Sequence, residues 1–220
     1  MDGDGDGDQL TLADWRREVA TLYTEIRRRS IDDVPAAWDL WRTVRERLYR
    51  EHPQSPVPAA DRAAFRAHHW PYDPGYRFAV PVEPPPPPPP GITPLGGLTL
   101  PNSGDAVLSF RQIGQVAIPL PDAPRPVTLS LFWMAGYAGG LFLAFRDATN
   151  GQETYGAGRY LLDSAKSADL GGDSENRTLV LDFNFSFQPS CAFDPRWACP
   201  LAPPENRIDA PIRAGERLTA

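Results

Sequence analysis

The segment FRDATNGQETYGAGRYLLD concentrates groups that can bind charge or move protons: Arg146, Asp147, Thr149, Asn150, Glu153, Thr154, Tyr155, Arg159 and Tyr160. Further on, Thr178–Phe187 alternates in polarity. As a strand it would place Leu179, Leu181, Phe183, Phe185 and Phe187 on one face, with Asp182, Asn184 and Ser186 on the other. The irregular C-terminal segment QPSCAFDPRWACPLAPPENRIDAPIRAGE adds Cys191, Asp194, Arg196, Cys199, Glu205, Asn206, Arg207, Arg213 and Glu216. Together these residues support one chemistry. Arg146 and Arg159 would grip an anionic or carbonyl group bidentately, and Glu153 or Asp182 would serve as acid or base. Tyr155, Tyr160 and Asn184 would orient the ligand, with Glu205 and Asn206 as further binding groups. The same side chains read equally as an internal network that pins a long loop by satisfying its backbone groups. The sequence leaves both readings open.

Other chemistries are poorly supported. The only histidines are His52, His68 and His69, all in the N-terminal half, and no G-x-S-x-G elbow occurs. Cys191 and Cys199 are separated by seven residues with no histidine nearby, outside ordinary zinc-ligand spacing. Their expected role is that of buried, inert thiols, Arg196 being the only neighbouring cation. Asp2, Asp4, Asp6 and Gly7 imitate the start of a calcium loop, but Ala13 stands where the bidentate glutamate belongs. A hard cation accepts carboxylates from distant segments, as from Asp147, Glu153, Asp182 and Glu205, yet acids among so many arginines ordinarily pair with them. The stretch GYAGG at 136–140 is not a phosphate-binding loop. No metal and no cofactor are therefore expected. Lys166 is the only lysine among 22 basic residues, which argues against a lysine-based catalyst.

Two helices must come first. Trp15, Val19, Leu22, Tyr23 and Ile26 recur at helical spacing within Leu12–Arg29. A second helix should open near Pro35, capped by Asp32 or Asp33, and carry Trp38, Trp41, Val44 and Leu48 on one face. His52-Pro53 ends it, and a turn and short helix are expected before His69. Strands follow at Arg77–Val82, Val107–Leu120, Val127–Met134, Leu141–Phe145, Arg159–Asp163 and Thr178–Phe187, joined by Gly, Pro, Asn and Asp. Asn150-Gly151 suits a tight hairpin, and Gly156 and Gly158 suit a bulge or a close backbone approach. The expected fold is α+β: an N-terminal helical hairpin packed on an antiparallel β sandwich or barrel. Residues 1–9 read as a disordered Gly/Asp tail, 10–70 as a helical segment and 71–220 as the β domain, with prolines 84–90 as a polyproline II spacer.

A net charge of −6 argues against nucleic acid or an anionic membrane surface as partner. No apolar run reaches membrane-spanning length, so a cytoplasmic location is expected. A small-molecule ligand fits the polar cluster, making this a small-molecule-binding domain and, at most, a cofactor-independent enzyme. The alternative is a non-catalytic interaction or scaffold protein that meets a protein partner through the tryptophan-bearing helices or the proline run.

FRDATNGQETYGAGRYL, LDFN, CAFDPRWACPLAPPENR and PIRAGE, in that order and spacing, resemble the domain of unknown function 1684 family. EHPQSPV and YDPGYRF extend the resemblance into the N-terminal half. Where that family's pattern has Ala, Tyr and Asn, this chain carries Ser186, Phe187 and Gln188. The resemblance implies no activity, substrate or cofactor.

Overall fold

The computed structural model describes residues 9–87, 98–99, 109–136 and 139–218. Helix α1 spans Gln9–Arg29 and ends on Arg27, Arg28 and Arg29, cations that suit the partial negative charge of a helix C-terminus. Helix α2 spans Val34–Glu51, with the Asp33 carboxylate accepting from the Ala36 N–H at 2.9 Å and Pro35 in its first turn. Leu22, Tyr23 and Ile26 of α1 meet Trp38 and Trp41 of α2 in one buried cluster. The Trp41 indole donates to the Tyr23 hydroxyl at 3.1 Å. Trp38 donates to the Asn184 carbonyl at 2.9 Å, and Arg27 to the Asp169 carbonyl at 2.7 Å, tying the hairpin to the β domain. The tryptophans of α2 are therefore turned inward, away from any partner in solution.

The short strands β1 (His68–His69) and β2 (Arg77–Pro81) follow. Next come β3 (Leu98–Thr99), β4 (Ser109–Ile118), β5 (Val127–Met134), β6 (Gly140–Phe145) and β7 (Arg159–Asp163). The last three are β8 (Gly172–Asp173), β9 (Thr178–Asp182) and β10 (Glu216–Arg217). They form antiparallel sheets of order β3-β4-β5-β6-β7, β2-β9-β8 and β1-β10. The larger two face one another in a sandwich-like arrangement, and no closed barrel forms among the described residues. Isolated bridges at Glu83–Gln115 and Tyr160–Phe187 link the two layers at their margins. The core between them holds Val80, Val116, Leu129, Leu143, Leu181 and Phe183. Burying a side chain such as Phe183 stabilises the fold by roughly 2–3 kcal/mol. Strand β7 is buried along its whole length. A register shift between Leu143 and Ala144 leaves Leu161 as an extra residue, so Leu161 and its neighbour Leu162 both reach the same core.

Two expectations are corrected. The strand from Thr178 ends at Asp182, and Phe183–Phe185 form a 3-10 turn capped by the Asp182 carboxylate. Alternation therefore stops at the turn, and its two faces are both inside: Asp182, Phe183, Asn184, Phe185 and Ser186 are all buried. The aromatic residues divide between clusters, Phe183 joining the sandwich core and Phe185 the helical cluster. Between Pro53 and Ala67 the backbone makes isolated turns, such as Ala64 N–H to Asp61 at 3.2 Å, and no helix. So few residues cannot repay the cost of helix nucleation. Of the expected features, the Gly/Asp tail through Asp8, prolines 88–90 and positions 107–108 lie outside the described residues.

Candidate functional site

Arg159 has no exposed surface. Its guanidinium donates to the Asp147 carboxylate at 2.6 Å and to the carbonyls of Ala214, Ile212 and Glu216 at 2.5, 2.7 and 3.2 Å. The rings of Trp70 and Phe145 lie 5.4 and 5.1 Å from its central carbon. Burial lowers its pKa, and Asp147 opposes that shift. Asp147 also accepts from the Thr149 N–H and hydroxyl. Two glycines make this knot geometrically feasible. Gly158 sits at φ +102°, where a Cβ would lie 2.4 Å from the Phe145 carbonyl oxygen. Gly215 sits at φ +85°, with the Ser186 hydroxyl 2.2 Å from where its Cβ would stand.

The amides and the second acid serve the backbone in the same way. Asn184 accepts from the Asp73 N–H at 2.9 Å and donates to the Asp73 carbonyl and the Asp182 carboxylate. Asp182 also receives the Tyr72 hydroxyl and Arg77, each at 3.2 Å, and burial raises its pKa. Asn206 fills the gap where β5 and β6 part: it accepts from Ser130 N–H at 2.7 Å and donates to the carbonyls of Ser130 and Ala144. Buried backbone groups of a loop laid across a sheet need such partners.

The remaining sequence-derived candidates lie elsewhere. Glu153 forms a two-pronged pair with Arg213 at 2.9 and 3.0 Å on the surface, which lowers its pKa. Arg146 donates to the Gly156 carbonyl, and Glu205 is exposed. The Tyr155 hydroxyl points at Cys191 Sγ across 3.8 Å, and the Cys191 N–H donates to Cys199 Sγ at 3.4 Å. Burial pushes Tyr155 up to about 12. The neighbouring Cys191 thiol and burial raise Cys199 far above the usual thiol range. The structure thus gathers Arg159 with Asp147, Asp182 with Asn184, and Tyr155 with the thiols, in separate clusters.

A cavity of about 620 Å³ lies between the helical hairpin and the β domain. Trp15, Leu22, Tyr23 and Tyr49 line it from the helices, and Tyr160, Phe187 and Trp197 from the other side. Of the nine residues singled out from the sequence, Tyr160 alone borders it; its hydroxyl donates to the Pro200 carbonyl at 2.5 Å. Sequence reasoning missed Arg45, Gln188 and Lys166. Arg45 pairs with Glu216 at 2.9 Å and lies 4.3 Å from the Tyr49 ring and 4.8 Å from the Phe187 ring. The readable signal was its position, four residues after Trp41 and three before Leu48, inside an apolar helical stripe. Gln188 is 4% exposed; its Oε1 and the Arg45 Nε have no hydrogen-bond partner. Lys166 lies 3.4 Å from Asp163, which raises its pKa, yet 61% of its side chain is exposed. Gln188 occupies a position where the chain departs from the family pattern noted above, as does Phe187.

Asp14, Glu18 and His52 approach one another closely enough to invite a metal reading. The His52 ring argues against it. Nδ1 accepts from the Gln54 N–H at 3.0 Å, so the ring proton belongs on Nε2, which faces Asp14 at 3.7 Å. That leaves Nε2 no lone pair for a cation, and Glu18 is engaged by Arg47.

Among the described residues no helix is long and apolar enough to cross a membrane. No curated protein matches the chain. An uncharacterized protein of Haloarcula marismortui, solved in solution by NMR, is similar at 28% identity and a TM-score of 0.52, over 80% of this chain and 90% of that one. The family model described as a protein of unknown function, DUF1684, matches residues 64–217, and the chain belongs to that family.

Proposed function

We propose that this protein binds a small molecule in the cavity between its helical hairpin and its β domain. The observation that carries this reading is the cavity itself. Its volume of about 620 Å³ falls within the range of ordinary ligand sites. Its walls are largely aromatic and aliphatic, with Gln188 and Arg45 among the polar residues that line it.

The lining favours binding over catalysis. It contains no carboxylate, and Lys166 is held protonated by Asp163. Burial pushes Tyr23 up to about 12 and raises Tyr160 well above the usual phenol value, so the tyrosines are neutral donors. No lining group is poised as a general base near neutral pH. In this reading Arg159, Asp147 and Asn206 act at a distance: they pin the C-terminal segment, which presents Glu216 to Arg45.

Titration with decanol, followed by calorimetry and tryptophan emission, tests the proposal because Trp15, Trp41 and Trp197 border the cavity. Saturable binding is expected, with a shift in emission. Ala20→Trp, which fills the cavity from α1, should abolish binding while leaving the circular dichroism spectrum unchanged. Absence of heat and of an emission change with both decanol and decanoate would refute the proposal.

A further inference from the structure

Building on that reading of the cavity, we infer that its ligand is an amphipathic anion: an apolar body carrying a carboxylate or comparable acidic head. The lining includes four cations, Arg16, Arg17, Arg45 and Lys166, and neither aspartate nor glutamate. This occurs in a chain with 28 acidic and 22 basic residues, where a cavity drawn at random would hold more acids than bases. A concave surface with low-dielectric walls focuses the field of such one-signed charge and raises the local concentration of the opposite sign.

The four cations differ in how far the protein already satisfies them. Arg45 gives one N–H to Glu216 at 2.9 Å, and its Nε has no partner. Lys166 has three donors, and the Asp163 carboxylate lies 3.4 Å from its ammonium, longer than a normal hydrogen bond. With 61% of its side chain exposed, its ammonium can turn toward a second oxygen. Arg16 and Arg17 are exposed on α1, at the rim. The apolar body would lie against Trp15, Tyr23, Leu48 and Trp197. Apolar walls with cations at the margin match a molecule of the opposite design, apolar along its length and negative at one end.

Decanoate and decanol share a body and differ in the charged head, so their affinity ratio isolates this inference. Decanoate should bind about tenfold tighter at low salt, the gain expected of one charge-assisted contact. The ratio should fall toward unity in Lys166→Gln, or in the double variant Arg16→Gln/Arg17→Gln, and in high salt. Arg16 and Arg17 are exposed, so folding is not at stake in the double variant; Lys166→Gln removes the partner of the buried Asp163 and is read only in protein with a native circular dichroism spectrum. Equal affinity for the two ligands would overturn the inference while leaving the cavity reading intact, and so would a ratio unchanged in both variants. Binding of neither ligand would overturn both.

Discussion

Two arginines divide this molecule, Arg159 buried and Arg45 part-buried. Arg159 and Arg45 each face a carboxylate, stack near aromatic rings and carry an Nε without an acceptor. Both also meet Glu216: Arg159 through its carbonyl and Arg45 through its side chain. Their surroundings differ. Arg159 is wholly enclosed, and four protein acceptors use its two terminal nitrogens. Arg45 lies on a cavity wall with rings about it and 11% of its side chain exposed. A buried charge whose two terminal nitrogens are already engaged by its own chain is a clamp, because any ligand would have to displace bonds already made. One left part-satisfied beside a void retains capacity for something else. The comparison shows that residue type, even with burial and an ion pair, does not distinguish a binding group from a structural one.

The contrast can be broken from either side. Arg159→Met should cost about 3–5 kcal/mol in chemical denaturation, since it strands the buried Asp147 carboxylate and three carbonyls. The C-terminal segment beyond Ile212 should become the first site of proteolysis. Arg45→Met should cost less, about 2 kcal/mol, because Glu216 keeps the Gln188 N–H at 2.7 Å and no comparable set of carbonyls is stranded. Unlike Arg159→Met, it should weaken decanoate binding in the protein that remains folded. Equal costs for the two variants would remove the distinction between clamp and wall.

Acid should also affect the two regions unequally. His69 lies in β1 opposite Glu216, against the rings of Trp38 and Trp41, with Arg45 and Arg42 facing it. Burial lowers its pKa from 6.5 to about 4. A folded-state pKa below the unfolded one means stability is intact above pH 6.5 and is lost as pH falls toward 4. The expected loss over that window is on the order of 2 kcal/mol, and His69→Phe should flatten it. The smallest effect belongs to the surface pair. Glu153→Gln should change stability by less than about 0.5 kcal/mol, since its partner Arg213 is exposed. Glu153 has its pKa depressed below 4.5, so this contribution is present above that pH and fades as pH falls through the lowered value.

Much of the fold was legible because its signals are local. Short β runs bounded by turn residues located Val127–Met134 and Arg159–Asp163, and the helical stripes and Pro35 located α2. Local alternation also misled, since it continues through Phe187 although the strand stops at Asp182. What stops it is Asp182 capping its own turn while Asn184 reaches Asp73, a contact 111 residues away. Alternation records which side chains are apolar; it carries no information about which distant backbone group an amide will meet.

The candidate site was less legible for the same reason. The sequence singled out Arg159, Tyr160, Asp182, Asn184 and Asn206, with four others, as ligand-binding or acid–base groups or else members of an internal network, and these five are buried with protein partners. Whether those partners are protein or ligand depends on contacts between segments far apart, such as Arg159 with Ala214 and Arg45 with Glu216, 55 and 171 residues distant. By itself the sequence determined the elements and their order, because backbone periodicity and turn chemistry act over a few residues. Only the tertiary structure decided where a void remains and which charges border it, because a cavity is what several packed segments together leave unfilled.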